Sequence, residues 1–185
     1  IGPSGSGKST FLHLVGGLER PSNGTIKVAG KDICCLSDKE LARYRRQKVG
    51  FVFQQYNLIP VLNVKENIEL PLKLDNKKID KEYIEDLINL LGLKERKNHL
   101  PNQLSGGQQQ RVAIARALSA KPSIILADEP TGNLDSKTTE EVMDLLKSSI
   151  KKYNQTLIII THNENIARKA DRIISIIDGE LKLTL

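Results

Sequence analysis

The chain has 185 residues, 39% hydrophobic and 27% charged, which suits one globular domain and is too apolar for a disordered one. A net charge of +6 fits a lysine-rich solvated surface, and with 4% aromatic residues and no Trp the chain is poorly supplied to stack single-stranded nucleic acid, so no nucleic-acid partner is expected. No apolar run approaches the roughly 18 residues of a membrane span, no signal-peptide pattern opens the chain, and the adjacent Cys34 and Cys35 are too few for a disulfide scaffold, so a reducing, cytosolic setting is expected.

In chain order, residues 2–10 read as a glycine-rich loop, 11–15 as a helix and 25–28 as a short strand. Ser37 followed by Glu40 is a capping box that should open a helix through Arg46. Residues 49–53 alternate and are rich in strand formers, so they are predicted as a strand ending at Gln54, with a loop through Pro60. Asn63 and Glu66 repeat the capping-box spacing. Asp80 should cap a helix to Leu91, stopped by Gly92, with Ile84, Leu87, Ile88 and Leu91 on one face. A helix is predicted over 108–119, a buried strand over 123–127, and a helix capped by Ser136. A second buried strand over 156–160 ends at Thr161 and His162, and 163–169 is predicted helical. Asp178-Gly179 between strands 172–177 and 180–183 is a hairpin signal. Strands alternating with helices predict an α/β chain with a mainly parallel core sheet, and residues 58–118 read as a helical insert.

Gly2-Pro3-Ser4-Gly5-Ser6-Gly7-Lys8-Ser9 fits the pattern G-x-x-x-x-G-K-S/T, with Thr10 next. Its glycines let the backbone wrap phosphates with N–H groups pointing inward, Lys8 should reach the β- and γ-phosphates, and the Ser9 hydroxyl should ligate Mg²⁺. The apolar run 124–127 delivers Asp128 and Glu129 at a strand's C-terminal end, where α/β sheets bind ligands. Asp128 is expected to hold Mg²⁺ through water, and Glu129 to serve as general base; alternatively both are surface acids ending a strand. Ser105, Gly106 and Gly107, ahead of Gln108, form a second anion site at a helix start, although the chain has one lysine-bearing phosphate loop. One explanation is that this site serves a nucleotide held by another copy of the chain.

These motifs resemble those of the ATP-binding-cassette (ABC) ATPases. Residues 2–9 resemble their Walker A motif, 124–129 their Walker B, and 104–108 their signature motif, while Gln54 stands at the Q-loop position, Asn133-Leu134-Asp135 resembles the D-loop, and His162 the switch histidine. The match covers nearly the whole chain. Residues 50–60, the run LSGGQQQRVAIARAL over 104–118, and 127–136 further resemble the ATPases of macrolide-export, lipoprotein-release and bacitracin-resistance systems, with 61–74 most similar to the antimicrobial-peptide branch. A related alternative is an ATPase of the same superfamily in DNA repair or translation; the first splits its phosphate motifs with a long coiled coil and the second carries two cassettes, and neither feature is seen here.

The resemblance implies a P-loop NTPase fold, an ATPase cycle with ATP and Mg²⁺, and a head-to-tail dimer with each ATP between the residues 2–10 of one copy and Ser105–Gln108 of the other. It implies a membrane permease as partner and a place at the cytoplasmic face of the membrane. In that scheme Gln54 joins Mg²⁺ to the partner-facing surface, His162 holds the γ-phosphate and the attacking water with Glu129, and Asp135 reaches across the dimer; the plainer readings are a loop glutamine, a polar strand end and a helix N-terminal acid. The chain departs from the family in having no aromatic residue ahead of Gly2 to stack on adenine. We therefore expect it to be the C-terminal major part of a longer protein, one nucleotide-binding domain over 1–185 with a truncated N-terminal β-subdomain, a central strand lacking from its sheet, and poor nucleotide binding as written.

Overall fold

The computed structural model describes residues 1–184. Helix α1 (Lys8–Val15) leaves the glycine-rich loop and is followed by a two-residue ladder, β1 (Lys27–Val28) against β2 (Lys31–Asp32), turned at Ala29 and Gly30 with φ of 49° and 76°. Helix α2 (Asp38–Lys48) leads into β3 (Val49–Phe53). Helices α3 (Val64–Leu74), α4 (Lys81–Leu90) and α5 (Gly106–Ser119) come next, then β4 (Ile124–Asp128), α6 (Ser136–Tyr153), β5 (Thr156–Ile160), the short α7 (Glu164–Ala167) and the strands β6 (Ile173–Ile177) and β7 (Glu180–Thr184).

Local chemistry explains most boundaries. Ser37 and Asn63 each accept the N–H three residues on, and Glu40 and Glu66 reach back to the cap N–H, so both expected capping boxes are present. Asp135, not Ser136, is the N-cap of α6; its carboxylate accepts from both the N–H and the Oγ1 of Thr138, and Ser136 becomes the first helical residue. Helix α1 starts at Lys8 rather than at residue 11, and α7 is shorter than the predicted 163–169.

β3, β4 and β5 form a parallel sheet with β4 in the centre. Its register is what positions the site: Phe53 pairs with Asp128, and Asp128 with Ile160, so three strands end level at one edge. Gln54, Glu129 and Thr161-His162 are the first residues past that edge. Along β4 the side chains alternate, Ile125 and Ala127 toward a cluster with α3–α6, Ile124 and Leu126 toward one with α1 and α2. Fully buried Ile68 and Leu87 from the helical segment share the first cluster with Ile125 and Val142, so the segment and the sheet have one continuous core. The β6–β7 hairpin turns at Asp178 and Gly179 (φ 50° and 79°), as the Asp-Gly pair predicts. Ile1 runs beside β6: its amine donates to Ile174 O (2.8 Å), and Ile176 N–H donates to Ile1 O (2.9 Å), the bond pair of a parallel bridge.

Candidate active site

The loop of residues 2–7 owes its course to glycines. Gly2 lies so close to β6 that a Cβ would run into the Ile176 carbonyl, and Gly7, at φ 97°, is the left-handed N-cap of α1. Having no side chain, Gly7 caps nothing, and no acid stands in the first turn of α1. The N–H groups of Gly5, Gly7, Lys8, Ser9 and Thr10 accordingly have no acceptor among the described residues. A row of unpaired donors at the positive end of a helix is built for an anion. Lys8 Nζ folds over the loop, donating to Pro3 O at 2.6 Å. Pro3 and Ser4 shape the turn, and Ser6 is buried, its N–H on Pro3 O.

Ser9 Oγ donates to Asp128 Oδ2 at 3.0 Å, tying the start of α1 to the end of β4 across 119 residues of sequence. The next residue, Glu129, is held in a left-handed conformation (φ 45°), rare for a residue with a side chain. Its N–H donates to Ile160 O (3.0 Å) and its carbonyl accepts from Gly132 N–H (3.1 Å). His162 Nδ1 meets Glu129 Oε1 at 2.9 Å; the imidazole is 79% exposed and the carboxylate 21%. Glu129 Oε2 has no hydrogen-bond partner among the described residues, and Glu129 lines a cavity of about 270 Å³ together with Thr131, Thr161, Asn163 and Met143.

Gln54 turns elsewhere. Its Nε2 donates to Asn133 Oδ1 (3.3 Å), Asn133 Nδ2 donates to Gln54 O (3.0 Å), and no hydrogen bond joins it to Ser9 or Asp128. Asp135 is two residues past Asn133, and its carboxyl lies below the usual range because the Thr138 N–H and hydroxyl stabilise the anion. At the start of α5, Ser105 Oγ accepts from Gln108 N–H and Gln108 Oε1 accepts from Ser105 N–H, a capping box, while the N–H groups of Gly106 and Gly107 have no acceptor among the described residues. No hydrogen bond links residues 105–108 to the loop 2–10. One chain thus holds two separate helix starts with unpaired N–H groups.

Sequence reasoning missed Gln110. It is fully buried and its Nε2 donates to the carbonyls of Phe53 and Pro130. Its spacing of three from Gly107 and four from Ile114, on the inward face of α5, was the available signal.

The ABC transporter family profile matches residues 1–132. The chain is 46% identical to the lipoprotein-releasing system ATP-binding protein LolD of Cytophaga hutchinsonii, over 97% of this chain and 83% of that protein. It is 45% identical to the macrolide export ATP-binding/permease protein MacB of Bdellovibrio bacteriovorus, over 98% of this chain and 28% of that longer one. A solved dimeric, post-hydrolysis structure of the ATP-binding cassette MJ0796 bound to ADP and Pi superposes with a TM-score of 0.85 at 46% identity, over 98% of this chain and 82% of that one. The chain is an ABC transporter ATPase. The expected α/β cassette fold with a parallel core sheet is borne out, and so is the expected transport ATPase. These relatives give no support to the DNA-repair or translation alternative. Among the described residues of the ATPase, no helix is long and apolar enough to cross a membrane.

Proposed function

We propose that the ATPase binds ATP with Mg²⁺ on residues 2–10, hydrolyses it within a head-to-tail dimer, and drives a membrane permease from the cytoplasmic face of the membrane. The observation that carries this reading is the line of contacts at one sheet edge, Ser9 on Asp128 and His162 on Glu129, beside the unpaired donors of the loop. The N–H groups of Gly5, Gly7, Lys8, Ser9 and Thr10 would take phosphate oxygens, and Lys8 Nζ would exchange Pro3 O for the β- and γ-phosphates. Ser9 Oγ and Asp128 Oδ2, 3.0 Å apart, are the oxygen donors a small hard cation prefers; with Gln54 swung off Asn133, these residues would hold Mg²⁺, Asp128 through water, and the ion would supply charge neutralisation.

Glu129 would accept the proton of the attacking water on Oε2, and His162, oriented through Nδ1, would present Nε2 to the γ-phosphate. Ser105, Gly106, Gly107 and Gln108 would act on the ATP of the other copy; the Ser105 hydroxyl is free to donate because its cap uses only a lone pair. Asp135 would face the partner copy at the start of α6. Ile59 and Val61, 39% and 80% exposed, would meet the permease. The likeness to LolD and MacB supports lipoproteins or macrolides as the permease's cargo, with antimicrobial peptides as the second candidate suggested by residues 61–74.

The test is Glu129→Gln in the complete subunit. ATP binding should persist while turnover falls about 10²–10⁴-fold, the usual worth of a general base, and ATP should accumulate in a dimer. Near-normal turnover would remove Glu129 from this role.

A further inference from the structure

Of the run Gln108, Gln109 and Gln110, only the third is fully buried. Its Nε2 donates to Pro130 O and, at a longer 3.4 Å, to Phe53 O. Pro130 directly follows Glu129, and Phe53 directly precedes Gln54. One buried amide therefore bridges α5, the helix that begins at the Ser105 cap, to the turn carrying the carboxylate and to the end of β3. Its Oε1 has no partner, so the structure uses this residue only as a donor. A buried amide with an unpaired acceptor costs stability, and an apolar residue of similar volume would pack there without that cost.

The turn it grips is strained. A non-glycine residue at φ 45° persists only where its surroundings over-determine it. Three contacts hold the backbone on either side of it: Glu129 N–H on Ile160 O, Gly132 N–H on Glu129 O, and Gln110 on Pro130 O. The first two lie within the sheet edge and the turn itself; the third comes from the far side, on α5. The turn also packs directly on Gln54, since a Cβ at Gly132 would lie 2.7 Å from Gln54 Nε2.

We infer that Gln110 is a positioning residue for hydrolysis, tying the Glu129 turn and the end of β3 to the helix of the Ser105 motif so that the carboxylate stays in its productive place. The inference rests on Glu129 being the base. Gln110→Met keeps the length and volume of the side chain and deletes both donors. In the complete subunit it should lower kcat about 10- to 100-fold, the cost of a misplaced catalytic group, with KM for ATP nearly unchanged; the Pro130 carbonyl loses its donor while the unpaired Oε1 is removed, so the melting temperature should fall by only a few degrees. A double-mutant cycle separates positioning from general packing. Added to Glu129→Gln, Gln110→Met should change the residual rate less than twofold, because a carboxylate already lost cannot be misplaced. Equal losses in both backgrounds, or a kcat within twofold of wild type for Gln110→Met alone, overturn the positioning role. Near-normal turnover in Glu129→Gln alone instead overturns the base reading and this route with it. Should Gln110→Met not fold, Gln110→Leu, also apolar and without donors, carries the same cycle.

Discussion

Asn67 on α3 is fully buried, and its amide holds the loop that follows Gln54. Oδ1 accepts from Ile59 N–H at 2.8 Å, and Nδ2 donates to Leu62 O at 2.8 Å, Asn63 O at 3.1 Å and Ile59 O at 3.2 Å. Replacing it with Leu, close in volume, deletes all four bonds. Two of the acceptors keep other donors: Asn63 O still receives Asn67 N–H, and Ile59 O still receives Leu62 N–H. The Ile59 N–H and the Leu62 carbonyl lose their partners. At about 1–2 kcal/mol for each such group, the expected loss is about 2–4 kcal/mol, with water reaching the 39% exposed Ile59 setting the lower end. For a domain of this size that is a fall in Tm of about 4–16 °C. Calorimetry of the subunit reads it directly, and amide exchange at Ile59 should accelerate by at least about tenfold. A Tm within 1 °C of wild type together with unchanged exchange would show that these bonds add no net stability and that apolar packing alone holds the loop.

Ser105→Arg and Lys8→Ala should each abolish nucleotide-driven dimerisation alone, while their mixture recovers it in part, since one of the two shared sites then has both motifs intact; equal loss in the mixture refutes a shared site. Asp135→Ala should lower Tm at neutral pH by removing the α6 cap. Because the folded carboxyl titrates below its ordinary value, the cap's contribution is complete above that ordinary value, near pH 4, and fades as pH falls through the depressed one, so the difference between the two melting curves should close in strong acid. Val61→Asp should cut the permease-stimulated part of the ATPase rate more than tenfold while Tm stays within about 1 °C, as its 80% exposure implies; an unchanged stimulation places the permease elsewhere.

Signals carried by side chains near in sequence were readable in advance. Ser37 with Glu40, Asn63 with Glu66, and Asp178-Gly179 all act within four residues, and the structure has each as expected. The start of α1 was not readable, because Gly7 holds the N-cap position by its left-handed backbone alone and leaves no side-chain mark. The start of α6 offered two capping residues in succession, and only the geometry shows that the acid is used. The β1–β2 ladder turns on Ala-Gly, with no Asn or Asp to announce it. The contacts that assemble the site, Ser9 with Asp128 and Glu129 with His162, span 119 and 33 residues; their partners could be named from motif resemblance but not from spacing. Gln54 on Asn133 and Gln110 on Pro130 belong to tertiary packing alone.

The parallel register sets a timetable for synthesis. Val49 pairs with Ile124, and Ile124 with Thr156, so β3 leaves the ribosome long before the strand that satisfies its backbone. At about 5–20 residues per second, the intervening 75 residues take about 4–15 s. Through that interval the apolar segment Val49–Phe53 has no strand partner to pair with. Helices α1 and α2 have already emerged and later share a cluster with Val49 and Phe51, so they are the first able to shelter the strand, and α3 and α4 follow from the other side. Slowing translation between residues 53 and 124 would lengthen the exposure, and holdase chaperones should be found on chains stalled there.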